Sequence, residues 1–297
     1  MGTALVVTSG KGGVGKTTTS ANIGTALALQ GKRVVLLDLD IGLRNLDVVM
    51  GLSNRIIYDI VDVATGRAKL HQALIKDKRF DDLLYLLPAA QNAEKDALEP
   101  DQVVEIVEQL RPDFDFIILD SPAGIEQGFR NATGAADGAI VVTTPEISAV
   151  SDADRVVGLL EQRDMPLKPR LIINRIRQNM LADGRSMDID EITSHLGLDL
   201  LGIIVDDDGV IESSNKGEAI VMDPDDLASK GYRNIARRLL GDSVPLMDIR
   251  LKNKAFGQNC SIAIIRRFTV ILCRLLKINF LKQLTFVKVR CNLVTIH

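Results

Sequence analysis

Gly10-Lys11-Gly12-Gly13-Val14-Gly15-Lys16-Thr17-Thr18 stands directly behind the apolar run Ala4–Val7, and this stretch decides the fold. The pattern is G-x-x-x-x-G-K-T, a phosphate-binding loop between a strand and a helix. Its glycines let the backbone curl until several N–H groups converge on one phosphate chain. Lys16 is placed to reach the β- and γ-phosphates, and Thr17 offers a hydroxyl to Mg²⁺. The positive end of the following helix adds to the attraction. Lys11 is surplus to such a loop, which points to chemistry that waits for a partner.

Working outward, short apolar runs alternate with amphipathic stretches. The runs Val34–Leu37, Leu83–Leu87, Phe116–Leu119, Ala139–Val142, Leu171–Ile173 and Leu200–Val205 join Ala4–Val7 as expected strands. Several are unbroken and rich in β-branched residues, as strands buried on both faces must be. Helices are expected over Thr17–Gln30, Gln102–Leu110, Ser151–Gln162, Ile189–His195 and Tyr232–Leu240. The expected fold is α/β: a doubly wound, mostly parallel sheet with helices on both faces. In such sheets ligands sit at the carboxyl ends of the strands.

Those strand ends carry the remaining polar candidates. Val34–Leu37 ends in Asp38-Leu39-Asp40. Asp38 is placed to hold Mg²⁺ or its water shell, and Asp40 to orient the attacking water. Phe116–Leu119 ends in Asp120-Ser121-Pro122-Ala123-Gly124, an acid after four apolar residues that suits the metal. Turn or helix-cap roles compete for both acids. Asn174 closes another strand and can donate to and accept from an adenine edge, or serve as a turn residue. Asp206, Asp207 and Asp208 either close a base pocket or cap the next helix. Arg44 and Asn45 belong to a switch loop or to a helix entry.

Composition bounds the rest. The chain has 297 residues and is 46% apolar, enough for one large α/β domain with an appendage. Net charge is −3, but residues 249–297 hold ten of the 36 basic and none of the 39 acidic residues. The first 248 residues therefore carry −13, which argues against broad nucleic-acid binding by that body. All three cysteines, Cys260, Cys273 and Cys291, lie in the tail, so the body has no thiolate metal site. Residues 2–8 lack the basic lead-in of a signal peptide, and no run reaches the ~18 uncharged apolar residues of a membrane span. A cytoplasmic body at 1–248 with a basic, apolar tail at 249–297 is expected.

The motif set resembles one family. Lys11-Gly12-Gly13-Val14-Gly15-Lys16-Thr17-Thr18 is similar to the deviant Walker A loop of the MinD/ParA ATPases. Asp38-Leu39-Asp40-Ile41-Gly42-Leu43-Arg44-Asn45-Leu46-Asp47 resembles the first switch of the MinD branch, and Asp120-Ser121-Pro122-Ala123-Gly124-Ile125-Glu126 the second. Thr144-Pro145-Glu146 and Ser214-Asn215-Lys216-Gly217-Glu218 look like later motifs of that branch. The match covers roughly residues 3–247.

The resemblance implies an Mg²⁺-dependent ATPase that dimerises with ATP. It implies that Lys11 crosses the dimer interface to the partner's phosphates, completing a catalytic set with Lys16 and Asp40. Thr17 and Asp120 would serve Mg²⁺, beside the Asp38 already placed there by its strand end. Asn174 and Asp207 would read adenine, beside the loop residues 10–18. Implied partners are a division inhibitor of the MinC type, an ATPase-stimulating protein of the MinE type and an anionic membrane surface, with septum placement as the outcome. The alternative is a DNA-segregation ATPase of the ParA type, which the acidic body disfavours. A redox relative would need cluster-ligating cysteines, which the body lacks.

The tail departs from the short membrane-targeting helix that the family implies. Residues 265–284 can be drawn as a helix with Arg266, Arg267, Arg274 and Lys277 on one side and Ile265, Phe268, Leu272, Leu275, Leu276 and Phe280 on the other. This is the pattern of an interfacial helix, peripheral on the inner face of the membrane. The β-branched run Thr269-Val270-Ile271 opposes it. An aggregation-prone extension or a foreign sequence after a frame change are the competing readings.

Overall fold

The computed structural model describes residues 1–247. The tail domain at 249–297, its boundary at 248, and the interfacial helix over 265–284 lie outside the described residues.

Eight strands form one sheet: β1 (Thr3–Thr8), β2 (Val34–Asp38), β3 (Ile75–Lys76), β4 (Leu84–Leu87), β5 (Phe116–Asp120), β6 (Gly138–Thr143), β7 (Arg170–Ile176) and β8 (Asp199–Val205). Their order is β3-β4-β2-β5-β1-β6-β7-β8. Every pairing is parallel except β3 with β4. The unbroken apolar runs predict the result: Val34, Val35, Leu36 and Leu37 are all fully buried. Helices cover both faces, as the expected fold requires. The two-residue strand β3 escapes the sequence reading because it is too short for any period to register.

β1 lies near the middle of the sheet, paired with β5 on one side and β6 on the other. The helix Lys16–Ala28 follows it and is buried almost throughout. Its Thr, Ser, Ala and Gly content allows that, since small side chains let a helix lie close to its neighbours. It packs on the helix Leu227–Leu239. That helix begins five residues before the expected start because the Asp226 carboxylate accepts the Ser229 N–H at 2.8 Å and caps it. Pro100 at the first turn likewise sets the helix Pro100–Leu110 two residues earlier. The short helices Ile60–Ala64, Leu70–Ala73, Gln127–Gly134 and Gln178–Ala182 were not expected, and those at Leu46–Val49 and Asp208–Asn215 were foreseen only through their entry residues. Each offers at most two turns, too few for a 3.6-residue period to stand out.

Candidate nucleotide-binding site

The phosphate loop runs from the end of β1 to Gly15, which precedes the first helical turn at φ 97°. Two facts require glycine there. The dihedral belongs to the left-handed region, and a Cβ would sit 2.4 Å from Asn174 Nδ2. No side chain caps the helix Lys16–Ala28, and no acidic residue stands in its first turn. Its leading N–H groups are therefore free of any side-chain cap and suited to an anion.

Asn174 lies against this loop. Its Nδ2 donates to the Val14 carbonyl at 2.8 Å, and its Oδ1 accepts the Arg175 N–H at 2.9 Å. One N–H and one lone pair of the buried amide brace the phosphate loop, and a second N–H and lone pair remain beside the cleft. Asp207 also has local work: it caps the helix Asp208–Asn215, accepting the Gly209 N–H at 2.9 Å. Both residues nevertheless line a cleft of about 250 Å³ with Gly15, Thr18, Arg175 and Tyr232. Tyr232 adds a floor that sequence did not flag. Its buried hydroxyl lies 3.4 Å from Thr19 Oγ1, and burial pushes it up to about 12. A larger groove of about 670 Å³ opens beside Arg175 and Arg177 and includes no loop residue.

Lys16 is buried, with Nζ donating to Ser9 Oγ at 2.9 Å. Ser9 Oγ in turn donates to the Lys11 carbonyl at 2.8 Å. Burial lowers the lysine's pKa, and the charges of Asp120 and Asp40 oppose that. Ser9 was legible only as the residue before Gly10.

Asp38 and Asp120 are opposite each other in the β2–β5 register. Burial, then the charge of Asp120, raises Asp38 to about 7. Burial raises Asp120 to about 6, against the hydroxyls of Thr17 and Ser20. Ser20 Oγ donates to Asp120 Oδ1 at 2.8 Å. Asp38 has a bracing role in addition: Oδ1 accepts the Asp40 N–H at 3.0 Å and Oδ2 the Leu46 N–H at 3.1 Å. Asp40 is half-buried. Burial raises its pKa, and Lys16 and Lys95 pull it back. Among the described residues no group of three or more His, Cys, Asp or Glu can hold a metal by itself. Asp120 beside Thr17, with Asp38 opposite it on the next strand, fits instead a Mg²⁺ held mainly by phosphate and water.

Lys11 is different from Lys16. It is 38% exposed, and its Nζ meets Glu146 Oε2 at 3.2 Å and Ser148 Oγ at 2.9 Å. Arg44 pairs with Asp47 at 3.3 Å, while Asn45 precedes the helix Leu46–Val49, so both sit at a helix entry.

A central parallel strand, the phosphate loop behind it and two carboxylates at neighbouring strand tips define a P-loop nucleoside triphosphatase. The CobQ/CobB/MinD/ParA nucleotide binding domain model matches residues 5–220. The septum site-determining protein MinD of Bacillus subtilis (strain 168) is 66% identical over 254 residues, 86% of this chain and 95% of that protein. A chain of the MinC:MinD cell division protein complex of Aquifex aeolicus superposes with a TM-score of 0.77 at 46% identity, covering 82% of this chain and 98% of that one. The septum site-determining protein MinD of Pyrococcus horikoshii, solved with Mg-ADP, gives 0.74 at 28% identity, covering 82% and 100%. The chain belongs to the MinD family of septum site-determining ATPases. It is an ATP-hydrolysing enzyme with a role in cell division. No helix among the described residues is long and apolar enough to cross a membrane.

Proposed function

We propose that this ATPase is a switch that dimerises with ATP, settles on the inner face of the cell membrane and there recruits a division inhibitor of the MinC type. The observation that carries the reading is the contrast between the two loop lysines. Lys16 is buried beside Ser9 and serves its own site, whereas Lys11 is exposed and bound to Glu146 and Ser148. An exposed ammonium at the mouth of a phosphate loop suits a second copy's phosphates. The Aquifex relative that forms a MinC:MinD complex supports the inhibitor partner. A stimulating protein of the MinE type completes the cycle.

In this reading the loop N–H groups and Lys16 hold the β- and γ-phosphates of ATP. Thr17, Asp120 and Asp38 would hold Mg²⁺. The metal neutralises charge on the phosphates when bound. Asp40 orients the attacking water, and Asn174 and Asp207 bound the base-side cleft. Hydrolysis removes the γ-phosphate and with it the reason for the dimer to persist.

Attachment follows from dimerisation. One amphipathic segment binds a bilayer weakly and reversibly. Two in one particle strengthen binding by ~10²–10⁴ through effective concentration. The test is co-sedimentation with anionic liposomes, comparing the full chain with one ending at Asp248. Pelleting with ATP but not ADP, lost on truncation, is expected. Equal pelleting with both nucleotides removes the switch. Salt-sensitive, ATP-dependent binding to DNA in place of liposomes would give the ParA-type function instead.

A further inference from the structure

The turn Ser214-Asn215-Lys216-Gly217-Glu218 has no part in the nucleotide chemistry above, yet one hydrogen-bonded knot ties it to Met50, at the far end of the first switch segment. Arg79 makes that knot. Its NH1 donates to the Gly217 carbonyl at 2.9 Å, and its NH2 to the Met50 carbonyl at 2.6 Å. Asp77, almost wholly buried, fixes the guanidinium from behind, with Nε to Oδ1 at 3.0 Å and NH2 to Oδ2 at 2.7 Å. The planar fork presents donors in fixed directions, so it can join two backbones that a flexible ammonium cannot. The two backbones also touch directly. A Cβ on Gly51 would lie 2.7 Å from the Gly217 carbonyl oxygen, and one on Gly217 would lie 2.6 Å from Gly51 Cα.

Two lines of contact meet at this guanidinium. One starts at Asp38, whose carboxylate holds the Asp40 and Leu46 N–H groups, and runs through the helix Leu46–Val49 to Met50. The other starts at Asp207 in the base-side cleft and runs through the helix Asp208–Asn215 to Gly217. We propose that Arg79 is a positioning residue of the ATPase: a strut that locks the far end of the first switch onto the Gly217 turn, so that the state of the γ-phosphate is transmitted to that turn. The proposal rests on the nucleotide-site reading, with Asp40 at the attacking water. Arg79 donates to no residue of the phosphate loop, so it acts through the segment it holds.

Hydrogen–deuterium exchange on the full chain tests it, with Mg²⁺ plus a non-hydrolysable ATP analogue against Mg-ADP. In the wild type, the analogue slows exchange in residues 10–20, 46–52 and 213–218. In Arg79→Ala the response at 10–20 persists, while that at 213–218 shrinks at least about fivefold. Its kcat falls about tenfold with the KM for ATP within about threefold. Arg79→Lys, which keeps the charge against Asp77, falls between. Should Arg79→Ala fail to fold by circular dichroism, Arg79→Lys with an unchanged response at 213–218 overturns the strut, as does a folded Arg79→Ala with a wild-type response. A wild type protected at 10–20 but not at 213–218 overturns the strut alone. A wild type protected at neither overturns it together with the nucleotide-site reading.

Discussion

Asp38 and Asp120 occupy paired positions on adjacent parallel strands, both shut from solvent, and burial holds them at about 7 and about 6 in place of 3.8. The sign of the consequence is fixed. An acid whose folded pKa is raised contributes stability below its unfolded pKa and loses it as pH climbs through the folded value. Without nucleotide, the melting temperature should therefore fall between pH 5 and pH 8. Saturating Mg²⁺ and nucleotide should flatten the slope, because a cation favours both ionised forms. Asp120→Asn should flatten it too. Differential scanning fluorimetry across that window decides, and a nucleotide-free melting temperature that rises with pH would refute the assignment.

Asp38→Asn separates hydrolysis from binding. The amide keeps one acceptor and turns an NH₂ toward a backbone N–H, either Asp40 or Leu46. A buried donor left without an acceptor costs ~1–3 kcal/mol, here within the switch. We expect hydrolysis to drop ~10- to 100-fold from a misplaced Asp40. ATP affinity should stay within about threefold, since the phosphate loop is untouched. Fluorescent-nucleotide titration beside phosphate release measures the two, and parallel losses would count against a bracing role.

Asn174→Ala removes the donor to Val14 and the acceptor for Arg175 together. Arg175 holds φ at 55°, a strained value for a non-glycine residue, so its N–H contact matters. Nucleotide affinity should weaken by ~5- to 100-fold, in line with ~1–3 kcal/mol for groups left unpaired. Gly15→Ala should abolish binding outright, with far-UV circular dichroism unchanged. Calorimetric titration with Mg-ADP reads both. An Asn174→Ala chain that binds as tightly as wild type would return the amide to a turn role.

Lys11→Ala should leave folding stability almost untouched. Its pair with Glu146 is partly exposed, and such pairs contribute ~0–1 kcal/mol. The same change should remove ATP-dependent dimerisation and hydrolysis, while monomeric nucleotide binding survives. Light scattering after gel filtration, with ATP and with ADP, checks it. A dimer that still forms with ATP would mean that Lys11 does not reach across.

Much of this was legible because the strands announce themselves. Seven apolar runs, several of them unbroken, mark the strands, and the polar residues that end them mark the site. What escaped depended on distance along the chain. Asn174 was placed at the right strand end, but its bond to Val14 joins residues 160 apart in sequence, and no local pattern encodes it. Asp207 was read as either a base-pocket residue or a helix cap, and it both caps the helix Asp208–Asn215 and lines the cleft. Arg79 carried no signal, because its partners are backbone carbonyls of Met50 and Gly217. Ser20 and Tyr232 were missed for the same reason, each acting through a partner that only the fold supplies, whereas Ser9 binds Lys11 and Lys16 nearby and was missed because a lone serine carries no pattern.

The central position of β1 has a consequence for how the chain is made. The phosphate loop leaves the ribosome long before its walls do. Ser20 waits for Asp120, and Val14 for Asn174. Parallel pairing between such remote segments is slow to form. A nascent polypeptide that stops short of β7 carries the sequence of the loop without its shape. Nucleotide capture then marks the completion of folding, and a growing chain can hold no ATP before most of the domain has been synthesised.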